Sequence, residues 1–185
     1  MTPIQSSEDS RGAKTAVEII EYFRKLHGPD GDYGHALPYR LTASGAWAAS
    51  RPEHLFNFFR RLDLSRFRLF IDLGSGDGVA TCAAGLFTRS IGIESDPFLV
   101  SRAARAARDL NLLSRVGFIR ADFLTQRIQN ADCLYIYPDK PIDALENTLA
   151  GWGGTLFIYG PHFPPKRLSL IEKLRCGRET ISVYS

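Results

Sequence analysis

The sequence predicts an α/β protein: a parallel sheet wound with helices on both faces and finished by an antiparallel hairpin. Three observations carry this. Short apolar runs alternate with helical patterns between about residues 68 and 160, as in a parallel sheet covered on both sides. One such run ends in an acid and then places glycine at every second position, Asp72-x-Gly74-x-Gly76-x-Gly78, just before a small-residue helical stretch. Past Pro161, Pro164 and Pro165 the pattern changes to two β-like runs around Cys176-Gly177-Arg178, which reads as a terminal hairpin.

The elements follow in order. "MTPIQSSEDSRG" lacks the charged-then-apolar layout of a signal peptide, so residues 1–13 read as a disordered lead. Residues 14–27 put Ala16/Val17, Ile20, Phe23 and Leu26/His27 at helical spacing. Gly28, Pro29, Gly31 and Gly34 break any element, so 28–38 reads as a loop. "SRPE" (50–53) has the form of a capping box, with Ser50 as cap, Glu53 as its return partner and Pro52 in the first turn. Leu55, Phe58/Phe59 and Leu62 form that helix's apolar stripe. Strands are expected at 68–72, 89–94, 115–122, 131–138 and 154–160, with helices at 78–87 and from Asp96-Pro97 to about Asn111. The hairpin takes 168–175 and 179–185. Asp96 reads as the N-cap of its helix. Asp132, at the start of its strand, reads as structural.

A chain of 185 residues suits one domain with a full-sized core. Its 44% apolar and 23% charged content are those of an ordinary globular protein. The net charge of +3 permits an anionic partner without requiring one. No apolar run approaches the roughly 18 residues of a membrane span. Cys82, Cys133 and Cys176 are far apart and odd in number, with no zinc spacing. Cys82 and Cys133 read as small buried hydrophobes, which places the chain in a reducing cytoplasm. No metal site is expected.

Glycine after the first strand lets bare backbone approach a ligand, and in such sheets ligands sit beyond the carboxyl ends of the strands. A P-loop would need Gly-Lys-Ser/Thr, which is absent. A dinucleotide fingerprint would place the third glycine one position later, and Asp77 would stand beside a pyrophosphate. An acid followed by alternating glycines suits a ligand without phosphate, an adenosyl amino acid. Asp72 would hold its ammonium, and the glycine backbone would lie against its carboxypropyl chain and ribose.

This stretch resembles motif I of the class I S-adenosylmethionine-dependent methyltransferases. Glu94 ends the second strand, where a carboxylate can accept both ribose hydroxyls. Asp122 and Phe123 end the third, where the family's Asp takes the adenine amino group and the next apolar residue packs near the ring. The resemblance covers residues 51–185. It implies S-adenosyl-L-methionine as cofactor and a Rossmann-like seven-stranded methyltransferase sheet of order 3-2-1-4-5-7-6 with a terminal antiparallel hairpin. The cofactor set it implies is Asp72, Leu73, Gly74, Ser75, Gly76, Asp77, Gly78, Glu94, Ser95, Asp122 and Phe123. The segment 14–50 becomes an N-terminal helix and a cofactor-covering loop, with Tyr39 and Thr42 facing the substrate or forming the lid.

The acceptor is expected beyond the fourth strand, at "YIYPDKP" (135–141). The [DN]PP[YF] motif of base-methylating enzymes is absent there. "DLGSGDG", "GIESDP", "ADFL" and "ADCLYIYPDKP" look like the small protein-lysine methyltransferases of archaea and mitochondria. Val79 stands where that family usually has Arg, and Asp139-Lys140 replaces an apolar pair. The resemblance implies a protein lysine as the acceptor, with Tyr137 and Asp139 as catalytic candidates. His35 and His162 are loop histidines that could act as bases. Arg102, Arg105, Arg108 and Arg115 read as a solvated helix face, with docking to RNA or an acidic protein as the other reading. RNA methylation, small-molecule methylation and S-adenosylmethionine binding without transfer stay open as functions. No membrane association is expected.

Overall fold

A computed structural model describes residues 5–28, 39–43 and 45–185, and within these the side chains from residue 16 on, except that of Tyr39. The chain opens with α1 (Gln5–His27) and a small antiparallel pair, β1 (Tyr39–Thr42) and β2 (Gly45–Ala48). Then come α2 (Pro52–Arg61), β3 (Leu69–Leu73), α3 (Val79–Ala84), β4 (Arg89–Glu94), α4 (Pro97–Asp109), β5 (Val116–Arg120), β6 (Cys133–Ile136), α5 (Asp143–Thr148), β7 (Thr155–Tyr159), β8 (Leu170–Cys176) and β9 (Glu179–Tyr184). The main sheet has the order β5-β4-β3-β6-β7-β9-β8. Numbered within that sheet, this is the expected 3-2-1-4-5-7-6. The first five of these strands in space run parallel, and β9 joins β7 and β8 antiparallel.

Period-2 alternation sorts the strands' side chains onto two faces. Phe70, Cys133, Tyr135, Phe157 and Tyr159 enter one core, with Ile19, Phe23, Leu55, Phe58 and Phe59 of α1 and α2. Ile71, Leu73, Leu134, Ile136, Leu156 and Ile158 enter the other, with Leu145 and Leu149 at α5. Each large side chain taken out of water contributes about 1.5–3 kcal/mol, so the aromatic side anchors the helices. α3 is made of small residues, all buried, because it lies between the sheet and its neighbouring helices. Cys82 and Cys133 are buried free thiols, as expected.

Two expected local roles hold. The Asp96 carboxylate accepts from the Phe98 and Leu99 amides at 2.8 and 3.1 Å, capping α4. Asp132 accepts from the Arg68 and Leu69 amides at 3.0 Å each, pinning the start of β3 at the far end of the sheet.

Four expectations are corrected. α1 begins at Gln5, so part of the stretch read as a disordered lead is helical. The expected loop preceding α2 contains the β1–β2 pair, whose four-residue strands are too short to show a period. The capping box fails: Arg51 is the cap residue of α2, with no side-chain bond, while Ser50 is buried with its hydroxyl 3.4 Å from that of Tyr135. α5 was not foreseen, because six residues give less than two helical turns. Among the described residues no helix is long and apolar enough to cross a membrane.

Candidate functional site

Strand order reverses between β3 and β6, and the carboxyl ends of the strands there open a cleft of about 760 Å³. That size is typical of ligand sites. The glycine loop floors one end. Gly74, Gly76 and Gly78 all take left-handed φ, +74°, +55° and +89°, which turns the chain twice within five residues. Gly76 also lies under the Trp47 indole, with no room for a Cβ, and a Cβ on Gly78 would meet Phe118 and Ala103. The Gly74 and Ser75 amides donate to the Ile93 carbonyl at 2.9 and 3.1 Å, tying the loop to β4.

Glu94 completes the loop. Its Oε2 accepts from the Gly76 amide at 3.0 Å, and its Oε1 from the Ser95 and Asp96 amides at 2.8 Å each. Asp72 is buried at the end of β3 and accepts from the Thr81 hydroxyl at 2.7 Å. Burial pushes its carboxyl up to about 7; the Thr81 bond opposes this, and the Glu94 and Asp77 charges add to it. Asp122 Oδ1 accepts from the Leu124 amide at 2.9 Å and starts a short 3-10 turn that carries Phe123.

Of the expected cofactor set, Asp72, Leu73, Gly74, Ser75, Glu94, Ser95, Asp122 and Phe123 line the cleft. Gly76, Asp77 and Gly78 do not. Asp77 is fully buried and turned to α1, where its Oδ2 lies 2.6 Å from His27 Nε2. The left-handed residues on either side of it aim its side chain away from the opening. In this structure its side chain ties the loop to α1 rather than lining the cleft.

The other end of the cleft is lined by Tyr137, Pro138, Asp139, Lys140, His162 and Phe163, with Thr42 from the end of β1. The Tyr137 ring packs on Tyr159 at 5.0 Å between centroids and is 39% exposed, so it forms a rim. Burial, and then the Glu179 charge, raise its hydroxyl above the ordinary range. Asp139 Oδ2 accepts from the Ala46 amide at 2.7 Å. The Tyr39 side chain and His35 lie outside the described residues.

Sequence reasoning missed two residues that shape the cleft. Trp47 lines it and rests on the glycine loop. Glu146 of α5 is buried, and its Oε1 accepts from the Lys166 and Arg167 amides at 2.9 and 2.7 Å. It thereby secures the segment that brings His162 and Phe163 to the cleft; Phe163 is itself in a left-handed conformation, φ 55°. Their partners are remote in sequence, so no local pattern signals them.

No family model matches the chain. Over 111 residues it is 33% identical to the N,N-dimethyltransferase OxyT of Streptomyces rimosus, taking in 54% of this chain and 32% of that protein. The chain thus spans about a third of the length of that curated relative. Among solved structures it is similar to an RNA methyltransferase from Salinibacter ruber in complex with S-adenosyl-L-homocysteine, with TM-score 0.66, 23% identity, and 74% of this chain and 92% of that one covered. It is also similar to coclaurine N-methyltransferase bound to N-methylheliamine and S-adenosylhomocysteine, with TM-score 0.52, 17% identity, and 86% and 52% covered. A putative methyltransferase from Escherichia coli, yhhF, matches with TM-score 0.54, 18% identity, and 71% and 81% covered. The chain has the Rossmann-like fold of class I methyltransferases.

Proposed function

We propose that this chain transfers a methyl group from S-adenosylmethionine to an amine nitrogen, and that the amine is a protein lysine. The observation that carries this is the single cleft with two unlike ends. One end has the glycine loop, Glu94, Asp122 and Phe123; the other has Tyr137, Asp139, His162 and Phe163. The buried Asp72 fits the cofactor's cationic amino-acid end, because an ammonium beside it would favour the ionised carboxylate that burial disfavours. On this reading Glu94 and Ser95 meet the ribose, and Asp122 and Phe123 the adenine; all four line the cleft, which supports it. The cofactor supplies the activated methyl group.

The protein's part is to place the acceptor nitrogen and exclude water. The exposed hydroxyl edge of Tyr137 can orient a neutral amine, and the Asp139 carboxylate makes that end negative. A lysine must lose its proton before attack, and solvent at the open rim can take it. Two of the similar proteins are named for nitrogen acceptors, which supports an amine. The likeness of residues 135–141 to lysine-methylating enzymes supports a lysine. The Salinibacter ruber neighbour acts on RNA by its name, so RNA is the reading to test against.

The test is incubation with methyl-labelled S-adenosylmethionine and cell lysate, then separation of protein, RNA and small molecules. Label is expected on lysine in the protein fraction. Tyr137→Phe should lower that transfer roughly tenfold while leaving the Kd for S-adenosylhomocysteine within about twofold, as when an interaction made only in the transition state is lost. Label confined to RNA or to a metabolite would reject the lysine and keep the methyl transfer.

A further inference from the structure

The β1–β2 strap is fastened to the body of the protein at three points. At its start, Arg40 Nε lies 3.2 Å from Asp96 Oδ2, and the guanidinium stands 4.6 Å above the centre of the Phe98 ring. Near its turn, the Ala46 amide donates to Asp139 Oδ2 at 2.7 Å. Gly45 lies so close to the same carboxylate that a Cβ there would collide with it, and its φ of +147° itself favours glycine. On β2, opposite Arg40, the Trp47 indole lies against Gly76. Two fastenings are thus on the cofactor end of the cleft, and the third is on the acceptor end.

A two-stranded hairpin is at best marginally stable by itself. The position of this one depends on its tethers. We propose that Asp139 is a positioning residue for the cofactor: by holding the Ala46 amide it keeps the strap down, and Trp47, carried on the strap, roofs the glycine loop and slows cofactor release. This rests on the S-adenosylmethionine reading above. The role is separate from any contact of Asp139 with the acceptor, because it needs only an acceptor oxygen at that position and not a charge. Losing the Ala46 bond frees the turn of the strap while the Arg40 tether remains, so the strap swings rather than detaches. Its effect therefore falls on the rate of release more than on the rate of capture.

The test uses the full chain with Trp152→Phe, which leaves Trp47 as the single indole of the two in the sequence. Trp152 lies away from the strap, its indole donating to the Ala131 carbonyl. Calorimetry first establishes that S-adenosylhomocysteine binds. Stopped-flow fluorescence then follows its displacement. Trp47 emission should change on binding. Asp139→Ala should speed release up to about tenfold, the scale of one lost hydrogen bond. Asp139→Asn keeps a carbonyl oxygen for the Ala46 amide and should release within about twofold of the parent. Gly45→Ala, pushing from the other side, should release as fast as Asp139→Ala. Binding without any change in Trp47 emission overturns the proposal. So does an Asn variant that releases as fast as the Ala variant. No binding in the calorimeter rejects the cofactor reading, and this proposal with it.

Discussion

At the end of the cleft proposed for the cofactor, Glu94 and the neighbouring Asp96 are held mostly by amides next to them in the chain: Ser95 and Asp96 for the first, Phe98 and Leu99 for the second. At the end proposed for the acceptor, Asp139 reaches an amide 93 residues away, and Glu146 reaches amides 20 and 21 residues away. Local bonds form as the chain turns and cost little further ordering. Remote ones exist only once two segments have docked. The first end is therefore preorganised largely by its own loops, with Arg40 and Trp47 of the strap added from outside, and the second is assembled from pieces that can part. A cofactor site gains from a fixed mould, whereas an acceptor site must admit and release its substrate.

The sharpest way to break this contrast is at Asp72, where the preformed mould holds a carboxyl that burial disfavours. In the folded protein its pKa is raised from 3.8 to about 7. The folded state then binds a proton that the unfolded state has already lost between those values, so stability falls as pH rises through that window. Asp72→Asn removes this penalty and should stabilise the protein at pH 8 by up to about 4 kcal/mol, at roughly 1.4 kcal/mol per unit. The gain should disappear near pH 4. Urea melts at both pH values measure it, and an equal gain at both would show that charge burial is not the cause. The same variant should bind S-adenosylhomocysteine more weakly.

Glu94→Ala sharpens the contrast from the other direction. It leaves the Gly76, Ser95 and Asp96 amides without their acceptor, at about 2–3 kcal/mol of stability. Binding of S-adenosylhomocysteine should fall tenfold or more. If stability dropped while affinity held, Glu94 would be a loop tie alone. Glu146→Ala should have the smallest effect on folding, about 1–2 kcal/mol. Because it releases the segment with His162 and Phe163, it should lower transfer while the cofactor Kd stays within about twofold. A change in Kd instead would mean that the two ends are not separately built.

What could be read in the sequence follows the same division. Asp72 and Glu94 lie at the ends of their strands and Asp122 two residues past its own, and the glycines after Asp72 lie in one short stretch. They appear as a linear pattern because they fall at successive strand ends and in one short run of sequence. The direction of the Asp77 side chain is not legible in the motif, for a related reason. The motif fixes the backbone, but left-handed turns on either side decide where its side chain points, and it points at His27. Ser50 has the right spacing for a cap, yet tertiary packing against Tyr135 takes its hydroxyl instead. Trp47, Glu146 and the strap carry no local signature at all. Their significance comes from Gly76, Lys166, Arg167 and Asp139, which only the folded chain brings near.

The sheet's last strand has a consequence for life at high concentration. Among the described residues β8 pairs only with β9, so its outer edge is a row of backbone groups that another chain could extend. Leu170 and Ile171 are 56% and 62% exposed there, which adds adhesive surface. Two devices blunt that edge. The register slips between Leu170 and Glu172, kinking the strand at its most apolar point. Glu172, Lys173 and Arg175 then set charges of both signs along the remainder. A kinked, charged border is a poor template for further strands, so crowded copies of this protein are kept from zipping together edge to edge.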